Sequence, residues 1–92
     1  MIVRIATEGQ YRLADEHAAE LDALDDTVVA AVEAGDARRY RELFEQMLEF
    51  VRRRGEALDV DELAESDVIL PPPDTTLDEA AAEFTGEGLI PD

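Results

Sequence analysis

Apolar and polar residues alternate at the start of the chain and then change period. In Ile2-Val3-Arg4-Ile5-Ala6, Val3 and Ile5 fall on one side, Ile2 and Arg4 on the other. Tyr11 and Leu13 alternate likewise after Thr7-Glu8-Gly9-Gln10. Period-two alternation around a glycine-containing loop predicts a β-hairpin over residues 1–14, with Gly9 supplying the positive φ of a tight turn. A two-stranded hairpin is marginal in water by itself. It therefore needs helices, or a third strand, over its apolar face.

From Asp15 the spacing becomes helical. At 100° per residue, His17, Leu21, Leu24, Val28, Ala31 and Val32 share one stripe, opposite Asp15, Asp22, Asp26 and Glu33. Asp15 is expected at or near the N-cap, with Glu16 in the first turn. Gly35 suits the residue after the last helical turn, and Asp36 suits the cap of a second helix. So short a connection forces two antiparallel, adjacent helices over residues 15–55. The second carries Tyr40, Leu43, Phe44, Met47, Leu48, Phe50 and Val51 over an unusually wide arc. Such an arc predicts contact on more than one side. Burying three or four of these side chains contributes roughly 1.5–3 kcal/mol each before entropy. Arg38–Glu42, Arg41–Glu45 and Glu49–Arg53 are i,i+4 pairs worth a few tenths of a kcal/mol. Arg52, Arg53 and Arg54 suit the last turn, and Gly55 ends the helix.

The pattern then shortens. Asp59-Val60-Asp61-Glu62 has capping-box spacing for a helical turn through Leu63. Asp67-Val68-Ile69-Leu70 reads as a third strand near residues 67–70, stopped by Pro71-Pro72-Pro73. Thr76-Leu77-Asp78-Glu79 is a second capping box, opening a helix through about Phe84 with Leu77, Ala80, Ala81 and Phe84 on one face. Gly86 and Gly88 end it. The fold class is α+β: one small domain, residues 1–92, with a hairpin packed on a helical pair and an acidic tail segment over 56–92.

Charge changes what this domain is expected to meet. The chain holds 24 acidic residues against 8 basic, a net charge of −16. Every basic residue is arginine. A salt-loving source accounts for this combination, and so does a GC-rich genome in which lysine codons are scarce. Direct binding to nucleic acid or to a bare anionic membrane is disfavoured. Positive charge is local: residues 36–55 hold six Arg and four acids, whereas residues 15–35 hold seven acids and no Arg. Cysteine is absent, so neither disulfides nor thiolate metal sites are available. The first residues lack a signal peptide's apolar core. No apolar run approaches the ~20 residues of a spanning helix. A soluble, cytoplasmic protein is expected.

Candidate chemistry is sparse. His17 lies in the apolar stripe of the first helix and reads first as a structural histidine. Ser66 is the only serine, and no spacing places it near His17. The acids of residues 59–67 lack the fixed alternation and central glycine of an EF-hand loop. A zinc site would rest on one histidine and carboxylates. No phosphate-binding glycine loop is present. No catalytic residue, cofactor or metal site is expected, and the chain is not expected to be an enzyme.

Three stretches together look familiar: MIVRI…EGQYRL, LDALDDTVVAAVEAGD with the Arg-rich second helix, and SDVILPPPDTTLDEA with the closing GLIP. They resemble the PspA-associated protein family, PspAA, in order and over almost the whole chain. Absence of lysine fits a haloarchaeal member. The resemblance implies a small non-enzymatic adaptor or regulator of PspA, an ESCRT-III-like coiled-coil protein of the phage-shock, envelope-stress system. It also implies recruitment to the inner face of the membrane through that partner. A partner for long charged helices would offer an amphipathic helix face with aromatic anchors and flanking arginines. The second helix fits, with Tyr40, Phe44 and Phe50 as candidate anchors and Arg38, Arg41, Arg52 and Arg53 as flanks; at least two of the three aromatics read first as core, and Phe50, at the edge of the arc, is expected to be the most exposed. An acidic nucleic-acid mimic, or inhibitor of a DNA-binding protein, is the alternative that net charge allows.

Overall fold

A computed structural model describes residues 1–59, 61, 62 and 64–83. Strand β1 (Ile2–Ile5) pairs antiparallel with β2 (Gly9–Arg12), placing Val3 opposite Tyr11 and Ile5 opposite Gly9. The amino terminus extends the ladder, since the Met1 amine donates to Leu13 O at 2.8 Å and Leu13 N donates to Met1 O at 2.8 Å. Between the strands the chain turns at Ala6-Thr7-Glu8. Positive φ falls at Gly9 (143°), as expected, and also at Thr7 (70°).

One 3-10 turn, Asp15–His17, leads into helix α1 (Ala18–Ala34). Asp15 lies next to the cap rather than at it. The extended residue before the turn is Ala14, which makes no side-chain cap. Lying one residue inside the turn, Asp15 instead approaches the Met1 amine at 3.7 Å. At the far end Gly35 takes φ 68°, and its N–H reaches back to Ala31 O and Val32 O. This left-handed stop reverses the chain. The Asp36 carboxylate then accepts from Arg39 N at 3.0 Å and starts helix α2 (Ala37–Arg54).

Helix α2 meets the hairpin at its end. Gly55 there has an ordinary φ of −85°. What demands glycine is space: a Cβ at this position would lie 2.6 Å from Val51 O and 2.9 Å from Tyr11 Cβ. This close approach lets β3 (Glu56–Ala57) pair antiparallel with β2. The strand is two exposed residues long, so no apolar pattern announced it. Strand β4 (Val68–Leu70) joins the other side, parallel to β1, as the anticipated additional strand. The sheet order is β3-β2-β1-β4.

The core lies between this sheet and the helices. Val3, Ile5, Leu13, Val68 and Leu70 come from the sheet side, and Leu21, Val28, Phe44, Met47, Leu48 and Val51 from the helices; all are buried. Pro71 ends β4. The tail then runs to helix α3 (Leu77–Glu83), which packs on both α1 and α2. Its capping box is closed: Thr76 N donates to Glu79 Oε1 at 3.0 Å, and Glu79 N to Thr76 Oγ1 at 3.3 Å. Ala80 faces inward, but Ala81 is exposed, contrary to the expected face, because α3 meets the helical pair along the Ala80 edge. Phe84, Gly86 and Gly88 lie outside the described residues. So do Val60 and Leu63 of the other capping box, where Glu62 N donates to Asp59 O at 3.0 Å.

Candidate partner-binding surface

Helix α2 forms because residues 37–54 contain no Gly or Pro, are capped by Asp36, and carry a wide apolar arc to bury. The arc covers contact with α1, the sheet and the tail. Tyr40 and Phe44 are fully within the core, their rings stacked with centroids 5.5 Å apart. Tyr40 OH donates to Thr75 O at 2.8 Å, and burial pushes its hydroxyl pKa up. Neither ring is available as an anchor. Phe50 is the most exposed of the three but remains only 9% accessible, with His17 edge-on at 5.9 Å.

The arginines divide into three groups. Arg41 crosses to the tail, where Nη1 donates to Pro73 O and Nη2 to Thr75 O, each at 2.8 Å. Its guanidinium also stands 5.6 Å from the Tyr40 ring centroid and 3.8 Å from Glu45. It therefore fastens the Pro-ended segment onto α2. Arg52 turns the other way, to the hairpin. Its Nη2 donates to Glu8 Oε1 at 2.7 Å, its Nε reaches both Glu8 oxygens, and its Nη1 donates to Glu49 Oε1 at 2.8 Å. The side chains of Arg52 and Glu8 are 25% and 29% accessible. The guanidinium hydrogen bonds hold the Glu8 carboxyl below the usual range, against the opposing effect of burial, and Glu8 in turn raises Arg52. Tyr11 OH donates to the same carboxylate at 3.1 Å. Arg52 thus pairs with one carboxylate from the hairpin turn and one from its own helix.

Arg38 and Arg53 face solvent. Arg38 pairs loosely with Glu42 at 3.6 Å. The expected Glu49–Arg53 pair is replaced by Glu49–Arg52, because the contact with Glu8 holds Arg52 beside Glu49. Arg53 therefore has no ion pair among the described residues. It borders a shallow groove between α1 and α2. Leu24 and Phe50 form the apolar floor; Glu20 lies on the α1 side, and Glu45, Gln46 and Glu49 on the α2 side. Of the five expected partner-binding residues, the structure brings Phe50 and Arg53 together, engages Arg41 and Arg52 internally, and leaves Arg38 at the opposite end of α2.

Other polar clusters carry less. Asp25 is fully buried on α1. The helical projection gave it no place, although it sits four residues after Leu21 and three before Val28, within their stripe. Buried carboxylates need partners; Asp25 is engaged within the chain, and no buried side-chain polar atom among the described residues lacks one. Its oxygens lie within 4.8 Å of those of Asp22 and Asp26. That spacing would admit a cation, but an acidic cluster is weak ground for one. Ser66 accepts from Gln10 Nε2 of β2 at 2.9 Å, whereas His17, in the 3-10 turn, meets Phe50 of α2. Ile69 on β4 is, among the described residues, the large apolar side chain left exposed, at 59%.

No described helix is long and apolar enough to cross a membrane. No curated protein matches the chain. No solved structure matches it either. One family model does, described as PspA-Associated protein, and it matches residues 1–92. The hairpin, the helical pair and the Pro-ended strand segment, which the structure joins in one α+β unit, all fall within that match, and the chain belongs to the PspA-associated protein family.

Proposed function

We propose that this protein is a non-enzymatic adaptor or regulator that binds a PspA-like protein directly and reaches the membrane through it, within an envelope-stress response. Membership of a family defined by association with PspA, over the full sequence, is the observation that carries the proposal. The helical pair supports protein–protein contact as the means. It leaves a groove with an aromatic floor open among the described residues, in a chain whose net charge of −16 disfavours phosphate backbones and anionic lipid. His17 and Ser66, the side chains best suited to nucleophilic chemistry, lie on different layers of the fold and contact Phe50 and Gln10 respectively.

The test is co-purification of the full chain with a PspA-like protein from the same source, in low and in multimolar salt. A stable complex is the expected result. Failure to associate in either condition, with both proteins folded, removes the proposal.

A further inference from the structure

The arginines of α2 suggested a basic docking face, and their placement inverts that expectation. Arg41 and Arg52 hold the tail and the hairpin, and each touches the α1–α2 groove only through one of its glutamates, Glu45 at 3.8 Å and Glu49 at 2.8 Å. Glu20, Glu45 and Glu49 converge on the groove from two helices, with Arg53 the one cation in its lining; Glu20 has no ion pair among the described residues, and Glu45 has only the loose contact with Arg41. We propose that this groove docks a basic amphipathic helix of a protein partner, with apolar residues against Leu24 and Phe50 and Lys or Arg beside Glu20 and Glu45. The proposal rests on the protein–protein reading above and assigns it a surface and a ligand chemistry.

Three features argue for a helix as the occupant. The apolar floor is one side chain from each helix, Leu24 and Phe50, which suits one stripe of side chains spaced at i, i+3/i+4 and i+7. From Glu45 to Arg53 the groove follows α2 for eight residue steps, about 12 Å at 1.5 Å per residue, or roughly two helical turns. Seating a third helix along an antiparallel pair also continues the packing that the pair already uses. Charge then selects among helices. The rim carboxylates repel an acidic helix and attract a basic one, while Arg53 at one end favours a single acid there and fixes direction. A second copy of this chain is the wrong occupant, because two chains of net charge −16 repel each other.

The experiment uses the intact protein and a labelled synthetic helix of roughly 18 residues, about five turns, with leucines on one face flanked by arginines. A counterpart carries glutamate in place of each arginine. Gln46→Trp fills the groove from an exposed position without altering net charge, and Glu20→Arg reverses one rim charge. Circular dichroism and melting confirm that both variants fold. The basic helix is expected to bind the unaltered protein, to lose at least about tenfold in affinity for each variant, and to outcompete the acidic helix. Absence of binding, equal binding of both helices, or unchanged affinity in Gln46→Trp overturns the groove assignment. The same variants are carried through the PspA-like co-purification. If the partner binds all forms alike, the groove assignment falls and the adaptor reading stands. If the partner ignores the unaltered protein while the basic helix still distinguishes the variants, the groove stands and the adaptor reading falls.

Discussion

Three residues at the junction of hairpin and α2 show how local chemistry fixes this fold. Thr7 holds φ at 70°, a conformation that a β-branched side chain adopts at a cost. Thr7→Asn is expected to raise stability by about 0.5–1 kcal/mol, which for a domain of this size is a melting shift of several degrees. A lower melting temperature would show that Thr7 makes compensating contacts. Glu8, the next residue, meets Arg52. Its folded-state pKa lies below its unfolded value. The pair therefore stabilises fully above the ordinary glutamate range near 4.3, and the contribution disappears as pH falls through the depressed folded value. Glu8→Gln should cost about 1 kcal/mol or less at neutral pH, given the partial exposure of both side chains, and should shallow the acid limb of the stability curve below about pH 4. Urea melts from pH 7 to 3 measure both; parallel acid limbs would deny the pair its role. Gly55 completes the junction. Gly55→Ala places a methyl against Val51 O and Tyr11 Cβ and is expected to cost about 1–3 kcal/mol. Thermal melts read the loss, and a neutral result would mean that α2 and β2 separate easily.

Among elements, the notable contact is a side chain reaching from α2 to a segment with no regular structure. The carbonyls of Pro73 and Thr75 lie outside helix and sheet; Arg41 donates to both, and Tyr40 OH also donates to Thr75 O. Thr75 is itself buried and turns back on Pro72 O through both N–H and Oγ1. Arg41→Met retains the aliphatic stem and removes the donors. The expected outcome is a selective rise in hydrogen exchange over residues 74–80, with the hairpin and the α1–α2 contact unaffected. A uniform rise over the chain would mean instead that the tail and core open as one unit. The same element explains the wide arc of α2: its apolar residues serve α1, the sheet and the tail together, and the groove is the side left over.

For the molecule as a whole, charge is the dominant quantity. A net charge of −16 on 92 residues makes the folded state self-repelling. The few ion pairs present, mostly exposed, offset little of this. Added salt should therefore stabilise the fold, with most of the gain below about 1 M, where the screening length falls to about 3 Å. Melting temperature against sodium chloride concentration measures it. A temperature that falls with salt would show that attractive pairs, not net repulsion, govern stability.

What the sequence determined by itself is local and periodic. Alternation over residues 2–13, the stop at Gly35, the cap at Asp36 and the box at Thr76 each need only a few neighbouring residues, so helices, hairpin, α+β class and family were all legible. Decided by tertiary structure was everything that depends on two distant segments meeting. Strand β3 exists because Gly55 lets α2 approach β2, not because Glu56 and Ala57 favour a strand. Asp25 is buried because α1 packs on the side that its stripe shares with Leu21 and Val28. The arginines of α2 look equivalent in a helical projection, yet Glu8 and the carbonyls of Pro73 and Thr75 claim two of them. Charge along a helix is written in the sequence; which charges remain facing a partner depends on what folds against that helix.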